Sequence, residues 1–221
     1  MEKIVVPKNT KLEIREENNL DHLNVEIEVE AGACLVYRAE NKNNKIKRTA
    51  KIYADAKIIW FDINKNKSAE SEIITRLVEP GARAETYGIF YGEQENQFSI
   101  SHTTEHLASN THSIMETKGV LDDKSRASIK SLIKIYSSIT GCTGHERTDT
   151  LIVSRNAHIE AVPELEIGNN DVQCTHAVTT TRLSPEKLFY LEGRGLDEEE
   201  AKKMLIEAHL TGLHSLQDHQ A

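Results

Sequence analysis

Cys174-Thr-His176 offers a thiolate and an imidazole two residues apart. On a strand, residues i and i+2 project from one face, so both donors could reach one metal, and this donor pair suits iron. The same parity aligns them with Val172 and Val178, which equally admits a buried lining. Cys142, within Thr-Gly-Cys-Thr-Gly, is the third candidate ligand: flanking glycines mark a turn or a close backbone approach, which suggests exposure, with a packed corner as the alternative. Cys34 follows Gly-Ala, has no nearby His, and reads as a packing residue. His102 and His106 share strand parity but stand about 13 Å apart at strand rise, too far for one ion. They read as structural or solvent-facing, and His145-Glu146 and His158-Ile-Glu160 read as surface pairs. No phosphate-loop, nucleophile-elbow, Cys-x-x-Cys or His-Glu-x-x-His signature occurs, so any ATP is expected to be hydrolysed by another protein.

The elements that must position these residues are strands. From Lys11 to about Arg182 the pattern alternates, as in Leu23-Asn-Val25-Glu-Ile27-Glu-Val29, giving each segment one apolar face. Similar turn-to-strand passages recur at Ala31-Gly-Ala33, Ala54-Asp-Ala56, Pro80-Gly-Ala82, Ser125-Arg-Ala127 and Arg155-Asn-Ala157. Their third positions are 23, 26, 45 and 30 residues apart, and 45 fits two coils with one unmarked corner. Such a period built from strands predicts a β-solenoid, with an antiparallel sandwich as the competing arrangement. The polar runs from Asn41 to Arg48 and from Asn64 to Ser68 read as exposed hairpin loops.

The pattern changes after Arg182. Ser184-Pro185-Glu186 opens a helix that should end around Gly193 to Gly195. Asp197 and Glu200 form a capping box for a second helix, with Leu196 and Ala201 as its staple. Ala201, Met204, Leu205 and Ala208 make its apolar stripe, and residues after Gly212 are expected to fray. The tail either folds back on the solenoid or presents a face to a partner. The reading is a core over 1–182 and a helical segment over 183–221.

Composition narrows the function classes. The formal charge is −8 and no Lys/Arg block could track a phosphate backbone, so nucleic acid is not an expected partner. The apolar run Ile58-Ile-Trp-Phe61 is far short of the roughly 20 residues that span a bilayer, so no membrane partner is expected either. The amino terminus lacks a signal-peptide pattern, and three widely spaced cysteines are unlike a disulfide framework, so a cytoplasmic address with reduced thiols is expected. Aromatics make up only 5%, which argues against a carbohydrate-binding or carbohydrate-active β-helix.

Beyond these patterns, the run His106-Leu-Ala-Ser-Asn-Thr-His-Ser-Ile-Met-Glu-Thr-Lys-Gly-Val-Leu resembles the core of SufB/SufD proteins. So do Leu151-Ile-Val-Ser-Arg-Asn-Ala-His-Ile-Glu-Ala-Val-Pro163 and Asp171-Val-Gln-Cys174-Thr-His176-Ala. Leu188-Phe-Tyr-Leu191-Glu-Gly-Arg194-Gly195-Leu is similar to the family's carboxy-terminal signature. The resemblance runs in order from about Ile73 to Leu210, whereas the first seventy residues share only strand character.

The resemblance implies an all-β core, a right-handed parallel β-helix, followed by short helices that dock a SufC-like ABC ATPase. Leu188, Phe189, Tyr190, Leu191, Arg194, Gly195, Ala201 and Leu205 are the docking candidates it points to. It implies pairing through the β-helix with a second copy or a SufB/SufD paralogue, and a transient iron–sulfur cluster at the joint. His176 matches the family's interface histidine and Cys174 a cysteine frequent in SufD-like members. Thr148 stands where SufB carries a cysteine required for assembly, and Ala177 where it carries a glutamate. The function expected is therefore a non-enzymatic assembly scaffold, with ATP used only through the partner. A SufD-like structural partner without its own cluster ligand is the alternative.

Overall fold

The computed structural model describes residues 2–17, 22–41, 45–65 and 68–219, without side chains for 17, 22, 23 and 212–219. Its strands fall into two seven-stranded parallel sheets. One holds β1 (Glu2–Val6), β3 (His22–Val29), β5 (Lys45–Ile52), β7 (Ala69–Leu77), β9 (Gln97–His106), β11 (Arg126–Ile135) and β13 (His158–Ile167). The other holds β2 (Lys11–Glu17), β4 (Cys34–Asn41), β6 (Lys57–Lys65), β8 (Arg83–Gly92), β10 (His112–Leu121), β12 (Cys142–Ile152) and β14 (Val172–Arg182). Each coil contributes one strand to each sheet, so the chain is the parallel β-solenoid expected from the alternation and not the sandwich.

Register shows the coil widening along the chain. Cys34 pairs with Lys57 and His112 with Thr143, so a coil grows from 23 to 31 residues. The steps from Ala33 to Ala56 and Ala82 are true coils, each alanine standing just before a strand of the second sheet. The 45-residue step is not two coils: Ala127 lies inside β11, in register with Phe98 and Ile159 of the opposite sheet. Both corners need small residues, so the sequence marks alone confuse the two phases.

The corner before the second sheet carries a ladder of left-handed residues: Asn9, Gly32, Asp55, Gly81, Asn110 and Gly141, with φ from 55 to 79°. Gly and Asn/Asp tolerate this conformation best. A Cβ on Gly32, Gly81 or Gly141 would lie 2.2, 2.1 or 2.4 Å from the Oδ1 of Asn9, Asp55 or Asn110. Each acidic or amide side chain thus occupies the space its glycine neighbour leaves open.

The interior is apolar at many levels but holds a charged network midway. Asp62 accepts from Asn41 Nδ2 (2.7 Å) and Ser71 Oγ (2.9 Å), and His102 Nε2 lies 3.0 Å away. Arg48 donates to both Glu16 oxygens (3.1 and 3.2 Å) and to Asn41 Oδ1 (3.0 Å). Burial opposes ionisation of Asp62, but His102, Arg48 and Asn41 together bring its carboxyl down to about 2. Gly88 makes room for the histidine, since a Cβ there would lie 3.0 Å from His102 Cε1. The expected loops at Asn41 to Arg48 and Asn64 to Ser68 are therefore corrected. Asn41, Arg48 and Asn64 are buried strand residues of β4, β5 and β6, while residues 42–44 and 66–67 lie outside the described ones. Their polarity serves one another, not solvent.

Helix α1 (Pro185–Glu192) starts with Ser184 accepting from Lys187 N at 3.2 Å and stops at Gly193. Helix α2 (Glu198–His219) starts with the expected capping box, Asp197 N to Glu200 Oε2 at 3.0 Å and Glu200 N to Asp197 Oδ1 at 2.8 Å. It lies on the outer face of the second sheet, where Ile206 and Leu210 pack with Phe61, Tyr87, Ile89, Val120 and Leu151. Lys118 Nζ donates to His209 O (3.1 Å) and Lys202 meets Asp122 (3.1 Å). The buried stripe matches the expected one only in part: Ala201 is buried and Leu205 half-buried, but Met204 and Ala208 are exposed, because the apolar outer patch of the sheet is met by Ile206 and Leu210. The helix reaches His219, and the side chains on which a fraying end would be judged lie outside the described residues.

Candidate functional site

β13 and β14 are the last strands of their sheets, so no further coil covers them. In β12 the inward residues are Cys142, Gly144, Glu146, Thr148 and Thr150, and all are buried. Their register partners in β14 are Val172, Cys174, His176, Val178 and Thr180. Cys174 and His176 therefore point to the inward side of a coil whose next level is missing: Cys174 is half-buried and His176 exposed. They are not sealed inside the monomer.

Local packing explains the thiol's position. Cys174 Sγ lies 3.3 Å from where a Cβ on Gly144 would stand, so the glycine gives the sulfur room. Burial pushes the Cys174 thiol up; the Gly144 backbone N–H opposes this and the neighbouring Cys142 adds to it. A metal taking this sulfur must displace a proton.

Cys142 is buried at 1% exposure, contrary to the exposure expected from its flanking glycines. Its Sγ lies 3.3 Å from Thr111 Oγ1 and donates weakly to Ala108 O at 3.5 Å. Gly141 turns the corner and Gly144 accommodates Cys174, so the glycines serve packing and not access. Cys34, expected to be packed, is half-buried and stands between Lys11 and Lys57 in register.

The other candidates separate by parity. His145 faces outward, its Nδ1 2.6 Å from Thr175 Oγ1, whereas Glu146 faces inward and is 2% exposed, so the expected surface pair does not exist. Glu146 Oε1 accepts from Ser131 Oγ (2.9 Å) and Thr148 Oγ1 (2.8 Å). The alternation of β12 was the signal that could have found it. His102 and His106 are both interior: His106 Nδ1 lies 2.7 Å from Thr111 Oγ1 and its Nε2 2.9 Å from Ser113 Oγ. Among the described residues, no three of His, Cys, Asp or Glu are arranged to hold a metal ion.

The docking candidates also divide. Phe189 and Tyr190 are 77% and 59% exposed, with the Arg194 guanidinium 5.2 Å from the Tyr190 ring centroid. Arg194 and Gly195 are exposed at the turn between the helices, and Leu188, Leu191 and Leu205 are half-buried. Ala201 is completely buried within the monomer. No helix among the described residues is long and apolar enough to cross a membrane.

Fold and site define a class, a parallel β-solenoid whose last coil leaves a thiol and an imidazole uncovered. A family model described as "SUF system FeS cluster assembly, SufBD core domain" matches residues 3–209, and the chain belongs to this SufB/SufD family of the iron–sulfur cluster assembly system. It is 26% identical over 195 residues to the iron–sulfur cluster assembly protein SufB of Bacillus subtilis, covering 86% of this chain and 42% of that one. A SufBD family protein of Staphylococcus saprophyticus is 25% identical over 169 residues, 76% of this chain and 36% of its own. SufD of Escherichia coli is 33% identical over 91 residues, 41% of this chain and 22% of its own. The chain thus spans less than half the length of these relatives.

Proposed function

We propose that this chain is a non-enzymatic scaffold subunit, working in the cytoplasm, that holds a nascent iron–sulfur cluster where two solenoid ends meet. The observation that carries the reading is the uncovered last coil, which presents Cys174 and His176 beside the unpaired edges of β13 and β14. Exposed strand edges invite a further strand, and a two-fold operation would set two such edges antiparallel. A second copy doubles the donor set to two thiolates and two imidazoles, whereas a SufB/SufD paralogue would bring its own donors, and soft sulfur donors suit iron–sulfur clusters. Cys142 sits one level beneath as a reserve ligand that would need local opening. The cluster is cargo, and its energy source is ATP hydrolysed by a SufC-like ABC ATPase docked on α1 and the turn after it, where Phe189, Tyr190 and Arg194 stand exposed. On this reading 1–182 forms the core domain and 183–221 the docking segment.

Thr148, buried and donating to Glu146 where SufB-like members carry the assembly cysteine, supports a second reading: a structural SufD-like subunit whose partner supplies the ligands. A carbohydrate site finds little support, since Trp60, Phe61, Phe90 and Phe98 are all buried, the first, third and fourth within the solenoid and Phe61 beneath α2.

Anaerobic reconstitution with iron and sulfide, read by visible absorption, separates the first two. Cys174→Ser and His176→Ala should each lose the cluster absorption of the wild type. Unchanged spectra in both, and in Cys142→Ser, would remove the ligand assignment and leave the structural reading.

A further inference from the structure

Glu146 is an interior carboxylate with one oxygen unused. Oε1 takes two hydroxyl donors, but Oε2 is buried without any hydrogen-bond partner. An ionised carboxylate can only accept, and an unmet buried acceptor is costly, so a donor is called for. The register leaves few choices. Glu146 lies between Met115 and His176 in its sheet; Met115 has nothing to donate, and the hydroxyls of Ser131 and Thr148 are already committed to Oε1. The donor directly across the strand pair is the imidazole of His176, which makes no hydrogen bond among the described residues; the hydroxyl of Thr117 is only a diagonal neighbour, in register with Thr148. The paired strand position of His176 lies about 4.8 Å away, on the same inward side.

We propose that Glu146 is the positioning residue for His176. Its Oε2 receives one ring N–H of His176, which selects a single tautomer and turns the other nitrogen, lone pair free, toward the uncovered end. The role rests on reading Cys174 and His176 as the cluster-facing pair. Imidazoles that bind metal commonly donate their other N–H to a carboxylate, and that partner sets both orientation and basicity. Deletion of the charge at constant shape has a distinctive consequence. In Glu146→Gln, the two hydroxyl donors hold the amide oxygen in the place of Oε1, so an N–H donor replaces Oε2. The nitrogen facing it must then accept, and the outward nitrogen becomes an N–H that cannot bind metal.

The test is the ring-nitrogen NMR spectrum of the full, metal-free chain at a pH where imidazole is neutral. One His176 tautomer should predominate in the wild type by about tenfold or more, and the ratio should reverse in Glu146→Gln. Equal tautomer ratios in the two proteins overturn the proposal. If the variant does not fold, the wild type alone decides. A His176 ring N–H protected from solvent exchange supports the pairing, and one exchanging as fast as that of exposed His158 refutes it. Neither readout needs iron, sulfide or ATPase. Tautomer reversal together with normal reconstitution in His176→Ala would keep the pairing and remove the cluster reading; the opposite result would do the converse.

Discussion

His106 gives the sharpest test of how the interior is held together. Thr111 donates its hydroxyl to Ala108 O at 3.0 Å, so toward His106 it accepts, and the ring carries its proton on Nδ1 while Nε2 accepts from Ser113. Both nitrogens are thus satisfied in the neutral ring, and it is burial that disfavours the charged one. Burial, with a smaller contribution from His112, lowers its pKa from 6.5 to about 4. The unfolded chain takes up the proton first, so the stabilisation is complete above about pH 6.5 and is lost as pH falls to 4. A shift of that size corresponds to about 3 kcal/mol. His106→Gln should cost about 2 kcal/mol at pH 7.5 through its lost hydroxyl partners. It should then lose less on acidification, so that the two stability curves cross near pH 5. Urea unfolding followed by circular dichroism from pH 7.5 to 4 measures this. Parallel decline of both proteins would show that His106 does not titrate with folding.

Three further outcomes follow from the packing. A Cβ on Gly119 would lie 1.8 Å from Phe90 Cζ, so Gly119→Ala should lower stability by about 1–3 kcal/mol, and Phe90→Leu in the same chain should restore part of it. Asp62→Asn strips the charge facing Arg48 and His102 and should cost about 3–5 kcal/mol, measured by denaturant unfolding at neutral pH. Replacing Phe189 and Tyr190 together with serine should leave the thermal midpoint unchanged, since α1 has no buried residue. The same change should abolish copurification with the ATPase, and retained binding would exclude α1 as its docking site.

How much of this was legible in the chain depends on what each residue faces. Alternation revealed the strands and the short recurrence revealed coils, because every coil repeats the same corner. Ser184, Asp197 and Glu200 announced the helix starts, since capping is a local matter. What escaped was the polar interior. Arg48 and Asp62 occupy inward positions, between Ile46 and Ala50 and between Trp60 and Asn64, and only a partner on another coil explains them. Glu146 escaped likewise: beside His145 it resembled half of a surface pair, yet adjacent strand residues point to opposite faces. Half of the stripe on α2, Met204 and Ala208, was misplaced because the face a helix buries is chosen by the sheet beneath it.

The corner ladder constrains how such a protein could change length. Asn9, Asp55 and Asn110 alternate with Gly32, Gly81 and Gly141, and each carboxamide or carboxylate fills a hollow left by the glycine one level on. Loss or duplication of a single level would stack two glycines, leaving a hole, or two branched residues, forcing a collision. Growth and shrinkage of this corner are therefore expected in pairs of levels, so that the number of rungs keeps its parity.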